Sequence, residues 1–517
     1  MKTKIRLLCA LLLISSVRGA TYIAASAAYT DVQAVADSSF NPALADGDTV
    51  IVPAGTASWT STLTVTKGIT LQGAGNDTTV LLDDIPRVGN TGSLFIHVTG
   101  NSAMRVTGFT FRYGSLTTDG MDNIRRAGIS TSFRVDHCHF DQLYSDADVK
   151  VFGWIYGVVD HCVFDMRMGG KTSVSVTHEN WGNNISGWGS WADPPFFGSE
   201  KFFFMEDNVV NNPYGGPNNG SIDGQRGGRF VLRHNTFNNA SVYYHGSDSG
   251  SGGQYFRGTR AAEIYNNTFN STISIPSGYS RGGALLYHDN QYVGLAQGGM
   301  GLRAFRLFQG PPGGDWVNAA DGTGPWDYNV TESDGVTHID GHPPYTFLTG
   351  THTGGNNSST LVVRGAGWTT NQWAGYSATN RVTGFGCYIQ SNTIDTITFA
   401  TQGSDDTSVI HFNAGDRFAI HKVLIVLDQP CRGQSDLIVG NPPGTFNLTG
   451  TEWPEWTEQA LEPCYSWNNI KPDGSSANFV HDDTVDPFRQ NVDFYNDTPM
   501  PGYTPYTYPH PLTMAMQ

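Results

Sequence analysis

The sequence predicts an all-β fold: a parallel β-helix, a solenoid of stacked coils, interrupted by a small antiparallel β module and ended by an extended tail. An internal repeat carries most of that expectation. V-D-H-C-H-F from Val135, V-D-H-C-V-F from Val159, M-E-D-N-V-V from Met205, L-R-H-N-T-F from Leu232, I-Y-N-N-T-F from Ile264 and Y-H-D-N-Q-Y from Tyr287 align with a small polar residue fourth and an aromatic or aliphatic one sixth. The fourth residues, Cys138, Cys162, Asn208, Asn235, Asn267 and Asn290, are separated by 24, 46, 27, 32 and 23 residues, the longest interval reading as two turns. Such a period marks a repeat architecture, and each unit is too short for a helical one. Composition agrees: 62 of 517 residues are Gly and Lys, Glu and Leu are scarce, which suits many tight turns. No long 3.6-residue periodicity follows the first twenty or so residues.

The repeat also dictates what stacks. Equivalent residues of successive coils lie one above another at about 4.8 Å. Phe140, Phe164, Val210, Phe237, Phe269 and Tyr292 are therefore expected as an inward stack, and Asn208, Asn235, Asn267 and Asn290 as a ladder of bonded amides. Cys138 and Cys162 hold the ladder position on two coils, as a disulfide or as stacked buried thiols. His137, His161 and His234 recur beside it, a regularity that favours a turn stack over catalysis.

Residues 1–19 read as a signal peptide: Lys2, Lys4 and Arg6 precede the apolar run Leu7 to Ile14, and small residues precede Ala20. A secreted protein is the expectation, and no other apolar stretch reaches the roughly 18 residues of a membrane span. Residues 20–344 read as the solenoid, 345–425 as the inserted module with short strands such as S-T-L-V-V-R and D-R-F-A-I-H, and 426–517 as returning coils and tail. The formal charge is −16, from 30 basic and 46 acidic residues; without Lys2, Lys4, Arg6 and Arg18 it is 26 against 46, or −20. Such a field argues against nucleic acid or an anionic membrane as partner. A monomer is the expected state.

Between Tyr29 and Asp83 the chain runs D-V-Q-A-V, G-D-T-V-I-V-P-A-G and L-T-V-T-K-G-I-T-L-Q-G-A-G. These motifs resemble the opening of secreted right-handed parallel β-helix proteins of the pectate-lyase-like superfamily. The resemblance spans roughly Tyr29 to Gln309 and implies a right-handed solenoid and extracellular polysaccharide action. Asp136-His137 and Asp160-His161 are similar to the W-I-D-H segment of pectate lyases, but Arg134 and Val158 replace its tryptophan, so no role is carried over. The lyase pattern R-x-P-x-x-R is absent, as is the N-T-D, D-D, G-H-G and R-I-K set of polygalacturonases.

Charge locates a candidate site. Between Ser221 and Gly310 stand eight arginines, Arg226, Arg229, Arg233, Arg257, Arg260, Arg281, Arg303 and Arg306, against four acids, Asp223, Asp248, Glu263 and Asp289. Arg226 and Arg281 each lie nine residues before a ladder asparagine, with Arg257 and Arg260 bracketing that place on the coil between. An arginine stripe suits a polyuronate, whose carboxylates pair with the guanidinium fork. His178 and His245 each end a strand-like run, the second preceded by Tyr243 and Tyr244. A uronate lyase needs a base for the C5 proton, a cation for the carboxylate and an acid for the leaving oxygen. His178 or His245, Arg226 and Arg281, and Tyr243 or Tyr244 are the candidates, with Arg229, Arg257 and Arg260 as substrate-binding residues. Trp181, Trp188 and Trp191 lie in an aromatic insert suited to stacking on sugar rings.

The expected reaction is thus β-elimination on an acidic polysaccharide. Two other classes stay open: a glycoside hydrolase, with a carboxylate pair such as Glu179 and Asp193, Asp207 or Asp223, and a non-catalytic carbohydrate-binding protein. Asp141, Asp146 and Asp148 form a loose acidic group that could hold Ca2+.

Overall fold

The computed structural model describes residues 19–87, 96–98, 102–167, 172–178, 190–191, 193–214, 220–246, 258–303, 346–374, 377–383, 386–399, 410–421, 430–434, 459–481, 488 and 490–515. Residues 1–18 of the expected signal peptide lie outside them. Among these residues the chain is a parallel β-helix, with parallel sheets of sixteen, nine and three strands and a separate six-stranded antiparallel sheet.

Each coil presents three faces. The first carries strands such as Phe203–Glu206, Arg229–Arg233, Ala261–Tyr265 and Ala284–His288, paired in parallel and in that order. The second carries His139–Asp141, Val163–Asp165, Val209–Asn211, Thr236–Asn238, Thr268–Ser271 and Gln291–Gly294. The third carries Thr172–Thr177 and Ile222–Gln225, then Val242–Tyr244 and Gly278–Ser280. Gly120–Asp136 and Ser145–Asp160 run round the corner between the third and first faces. They bend there at Gly128 and Gly153, whose φ values of 94° and 124° favour glycine, and a Cβ on Gly153 would lie 2.3 Å from the Gly128 carbonyl oxygen.

The corner between the first and second faces explains the repeat. There one residue per coil takes a left-handed conformation: His137, His161, Asp207, His234, Asn266, Asp289 and Asn468, with φ between 50° and 57°. Asn, Asp and His are the non-glycine residues most at home in that region, which is why the motif reads D-H-C, E-D-N or R-H-N. The ladder follows immediately. Asn208 Nδ2 donates to Asn235 Oδ1 at 3.0 Å, Asn235 to Asn267 at 3.1 Å, Asn267 to Asn290 at 3.0 Å and Asn290 to Asn469 at 2.8 Å. The expected inward stack is present, with ring centroids 4.8 Å apart for Phe140–Phe164, 5.1 Å for Phe237–Phe269 and 5.3 Å for Phe269–Tyr292. Cys138 and Cys162 are buried free thiols.

One expectation of register fails. Phe164 pairs directly with Val210, so the interval of 46 residues from Cys162 to Asn208 is one enlarged coil, not two turns. The additional residues fall in sequence between the strands Thr172–Thr177 and Phe203–Glu206.

Beyond Leu302 the strands Thr346–Thr351 to Arg417–His421 form the antiparallel module around its own core of Leu361, Ile397, Phe412 and Ile420. The chain then rejoins the solenoid, where Cys464–Trp467 pairs with Ala284–His288. The tail runs back along the first face. Tyr503 Oη donates to Glu263, Arg233 donates to the carbonyls of Tyr506 and Thr507 at 2.7 and 2.8 Å, His510 N donates to Glu206 at 2.8 Å, and Arg134 reaches the carbonyls of Leu512 and Thr513.

Candidate active site

Alternation along the third face decides which side chains are available. Val174, Val176, Ile222, Val242 and Tyr244 point into the core, so Ser175, Asp223, Gln225, Tyr243 and His245 face outward. Lys150 is in register with Ser175, and Ser175 with Asp223, which extends the outward row across three coils. A cleft of about 330 Å3 opens on this row, lined by Asp146, Lys150, Ser175, Asp223, Gln225, Tyr243 and His245 among others.

His245 is anchored by a carboxylate. Its Nδ1 lies 2.6 Å from Asp223 Oδ1. An ionised carboxylate only accepts, so Nδ1 carries the hydrogen of this pair. Gln225 donates to the other Asp223 oxygen at 2.5 Å, which fixes the carboxylate in turn. The imidazole is 29% exposed, open to a substrate yet anchored. Cations flank it. Arg281 places its guanidinium carbon 4.3 Å over the Tyr243 ring, and Arg303 stands 5.2 Å over Tyr279, itself perpendicular to Tyr243 at 6.0 Å. Lys150 Nζ lies 3.6 Å from the buried carboxylate of Asp122.

Several residues expected in the site are elsewhere. His178 is fully buried: its Nε2 hydrogen-bonds the Ile155 carbonyl at 3.0 Å and its Nδ1 accepts from the Arg229 amide at 3.2 Å. Burial pushes its pKa down to about 3, so it is a neutral structural imidazole. Tyr244 lies in the core with its phenol pKa raised by burial. Arg229 is also enclosed and donates to Ser190 Oγ and to the carbonyls of Ser190, Pro194 and Pro195. Arg260 binds the Asp193 carbonyl and pairs with Glu462. Both hold the insert against the coils and neither reaches the cleft. Trp191 is buried too, its indole N–H donating to the Gly258 carbonyl at 2.8 Å, so it is no stacking platform. Arg226 does share a place with Arg281, each three residues before an in-register strand of the first face. Trp181, Trp188, Arg257 and Glu179 lie outside the described residues.

The acidic trio does not assemble. Asp141 is on the second face, 2.5 Å from Arg112 Nε, whereas Asp146 lines the cleft on the third and Asp148 accepts from Ser145 Oγ. Among the described residues, His139, Asp141 and Asp165 bring ligand atoms within 4.8 Å of one another. Arg112, His139 and Asn211 already occupy those carboxylates, which makes the trio a poor fit for a hard cation. Of the proposed hydrolase acids, Asp193 turns its carbonyl to Arg260 and Asp207 accepts from the Tyr508 phenol at 2.8 Å; only Asp223 lines the cleft.

Two residues of the row, Lys150 and Gln225, escaped sequence reasoning, although the alternation of D-V-K-V and I-D-G-Q carried the signal.

No family model matches the chain, and no curated protein does. Among solved structures it is similar to the catalytic domain of a GH87 alpha-1,3-glucanase in complex with tetrasaccharides, at 11% identity and a TM-score of 0.25, over 49% of this chain and 56% of that one. The chain thus spans little more than half of that structure, and a likeness of this size carries no argument about the reaction. The parallel β-helix stands on its own strand registers.

Proposed function

We propose that the protein is an exported, monomeric polysaccharide lyase that cleaves a uronate-containing glycan by β-elimination in the third-face cleft. The single observation that carries this reading is the Asp223–His245 pair, with a half-buried imidazole that lines one cleft with Tyr243 and Lys150. His245 Nε2 takes the C5 proton. The C5–H electron pair becomes the C4–C5 double bond, the C4–O bond breaks, and Tyr243 protonates the departing oxygen. Lys150 and Arg281 neutralise the uronate carboxylate, which stabilises the charge that develops as the proton leaves. Asp223 keeps the imidazole in the required tautomer.

Incubation with a panel of polyuronates, following absorbance of the unsaturated product, tests this. The expected result is a signal lost by about 100-fold or more in His245→Ala with folding intact. A second reading, glycoside hydrolysis, rests on two carboxylates, Asp146 and Asp223, lining the same cleft. New reducing ends without absorbance would favour it. Binding with neither product would leave a carbohydrate-binding protein.

A further inference from the structure

Of the cysteines, Cys138, Cys162, Cys431 and Cys464 are described with their side chains, all buried, and they form two pairs. Cys138 and Cys162 occupy one ladder position on adjacent coils, bracketed by the pairs Asp136↔Asp160 and His139↔Val163. Each thiol donates to a carbonyl of its own coil, Cys138 to Asp136 at 3.3 Å and Cys162 to Asp160 at 3.4 Å. In-register neighbours on parallel strands point the same way.

Cys431 and Cys464 are placed otherwise. Their sulfurs are 3.4 Å apart, 33 residues distant in sequence, and they approach from two unlike segments. Cys431 follows the antiparallel module and donates its amide to Gly283, whereas Cys464 begins the strand that rejoins the first face. Between them Arg432–Gln434 pairs antiparallel with Gln459–Leu461, and the Glu462 amide donates to the Cys431 carbonyl at 3.0 Å. Closing the sulfurs to about 2.05 Å is a small rotation of the side chains.

We propose that Cys431 and Cys464 form a disulfide that staples the exit of the inserted module to the returning coil, while Cys138 and Cys162 stay reduced. The oxidant is a low-molecular-weight disulfide such as oxidised glutathione. One cysteine thiolate attacks it and releases one thiol; the second cysteine displaces the remaining thiol. Two protein S–H bonds and one S–S bond thereby become one protein S–S bond and two small-molecule thiols. Both sulfurs are enclosed in the native state, so the bond forms as the chain folds. The inference holds whichever reaction the cleft performs.

The test is refolding of the full chain in a glutathione redox buffer, quenching with an alkylating reagent in denaturant, and mapping peptides by mass spectrometry without reduction. The expected result is a Cys431–Cys464 linked peptide with Cys138 and Cys162 alkylated. Recovery of Cys431 and Cys464 both alkylated, or of a Cys138–Cys162 link, overturns the proposal. If single variants fold poorly, the Cys431→Ser/Cys464→Ser double variant supplies a second reading. Reductant should lower the melting temperature of the wild type by a few degrees and leave the double variant unmoved. An equal response in both would sink the staple.

Discussion

At the scale of the residue, parity along a strand separates the two histidines that the sequence makes look alike. Val174, Val176 and His178 share one side of their strand, so His178 goes inward with the valines; Val242 and Tyr244 go inward and leave Tyr243 and His245 outside. That count was available from the sequence, and the similar strand ends concealed it. The arginines were not legible in the same way, because the carbonyls that enclose Arg229 and Arg260 come from residues 190–195, a segment whose path no repeat dictates. Two outcomes follow. Asp223→Asn should lower kcat by roughly 100-fold with a smaller change in KM and a displaced pH profile, since the amide no longer fixes the tautomer of His245; an unaltered profile would remove Asp223 from its positioning role. His178→Ala, in contrast, should lower the melting temperature and spare the proposed lyase activity of the folded protein. Its depressed pKa contributes stability that is present above the unfolded value of 6.5 and lost as pH falls towards about 3, so the wild type should lose stability across that window and the variant less of it.

At the scale of the element, two devices lie side by side at each first-to-second corner and cost different amounts to remove. The left-handed residue needs only a tolerant side chain: Asn266→Ala should cost about 1 kcal/mol. The ladder asparagine is buried and fully bonded. Asn235 Nδ2 donates to Met205, Arg233 and Asn267, and the Asn235 Oδ1 accepts from the amides of Asn208. Asn235→Ala strands those partners in the core and should cost about 3 kcal/mol. Urea denaturation of the two variants checks the order, and equal losses would contradict it. These corners were legible because a fixed backbone conformation and a fixed stacking distance recur in every coil. The interval of 46 residues misled because an insertion lengthens a coil without adding one, and spacing alone does not tell the two apart. The module and its return were legible as β-structure, but the partner of Cys464–Trp467 lies across a long excursion from the strand that precedes it.

At the scale of the whole molecule, the tail touches several coils at once, from Glu263 and Arg233 to Glu206 and Arg134. Its contacts include a titratable latch. Glu263 is enclosed, accepting from the Gly198 amide at 2.8 Å and from the Tyr503 phenol, and burial raises its pKa from 4.5 to about 7. A raised acid keeps its proton in the folded state after the unfolded chain has released it. Its contribution is therefore complete below pH 4.5, falls as pH rises, and is gone once pH passes about 7, where folding must enclose a charge. The tail carries Tyr503 and Tyr506, each followed by Thr, so chymotrypsin reports its release directly. Cleavage near these tyrosines should be slower at pH 5.5 than at pH 8 after correction for the intrinsic pH dependence of the protease. Glu263→Gln keeps an acceptor for Tyr503 but cannot ionise, so its cleavage rate and melting temperature should both lose this dependence. A variant that retains the wild-type slope would place the pH sensitivity elsewhere along the first face.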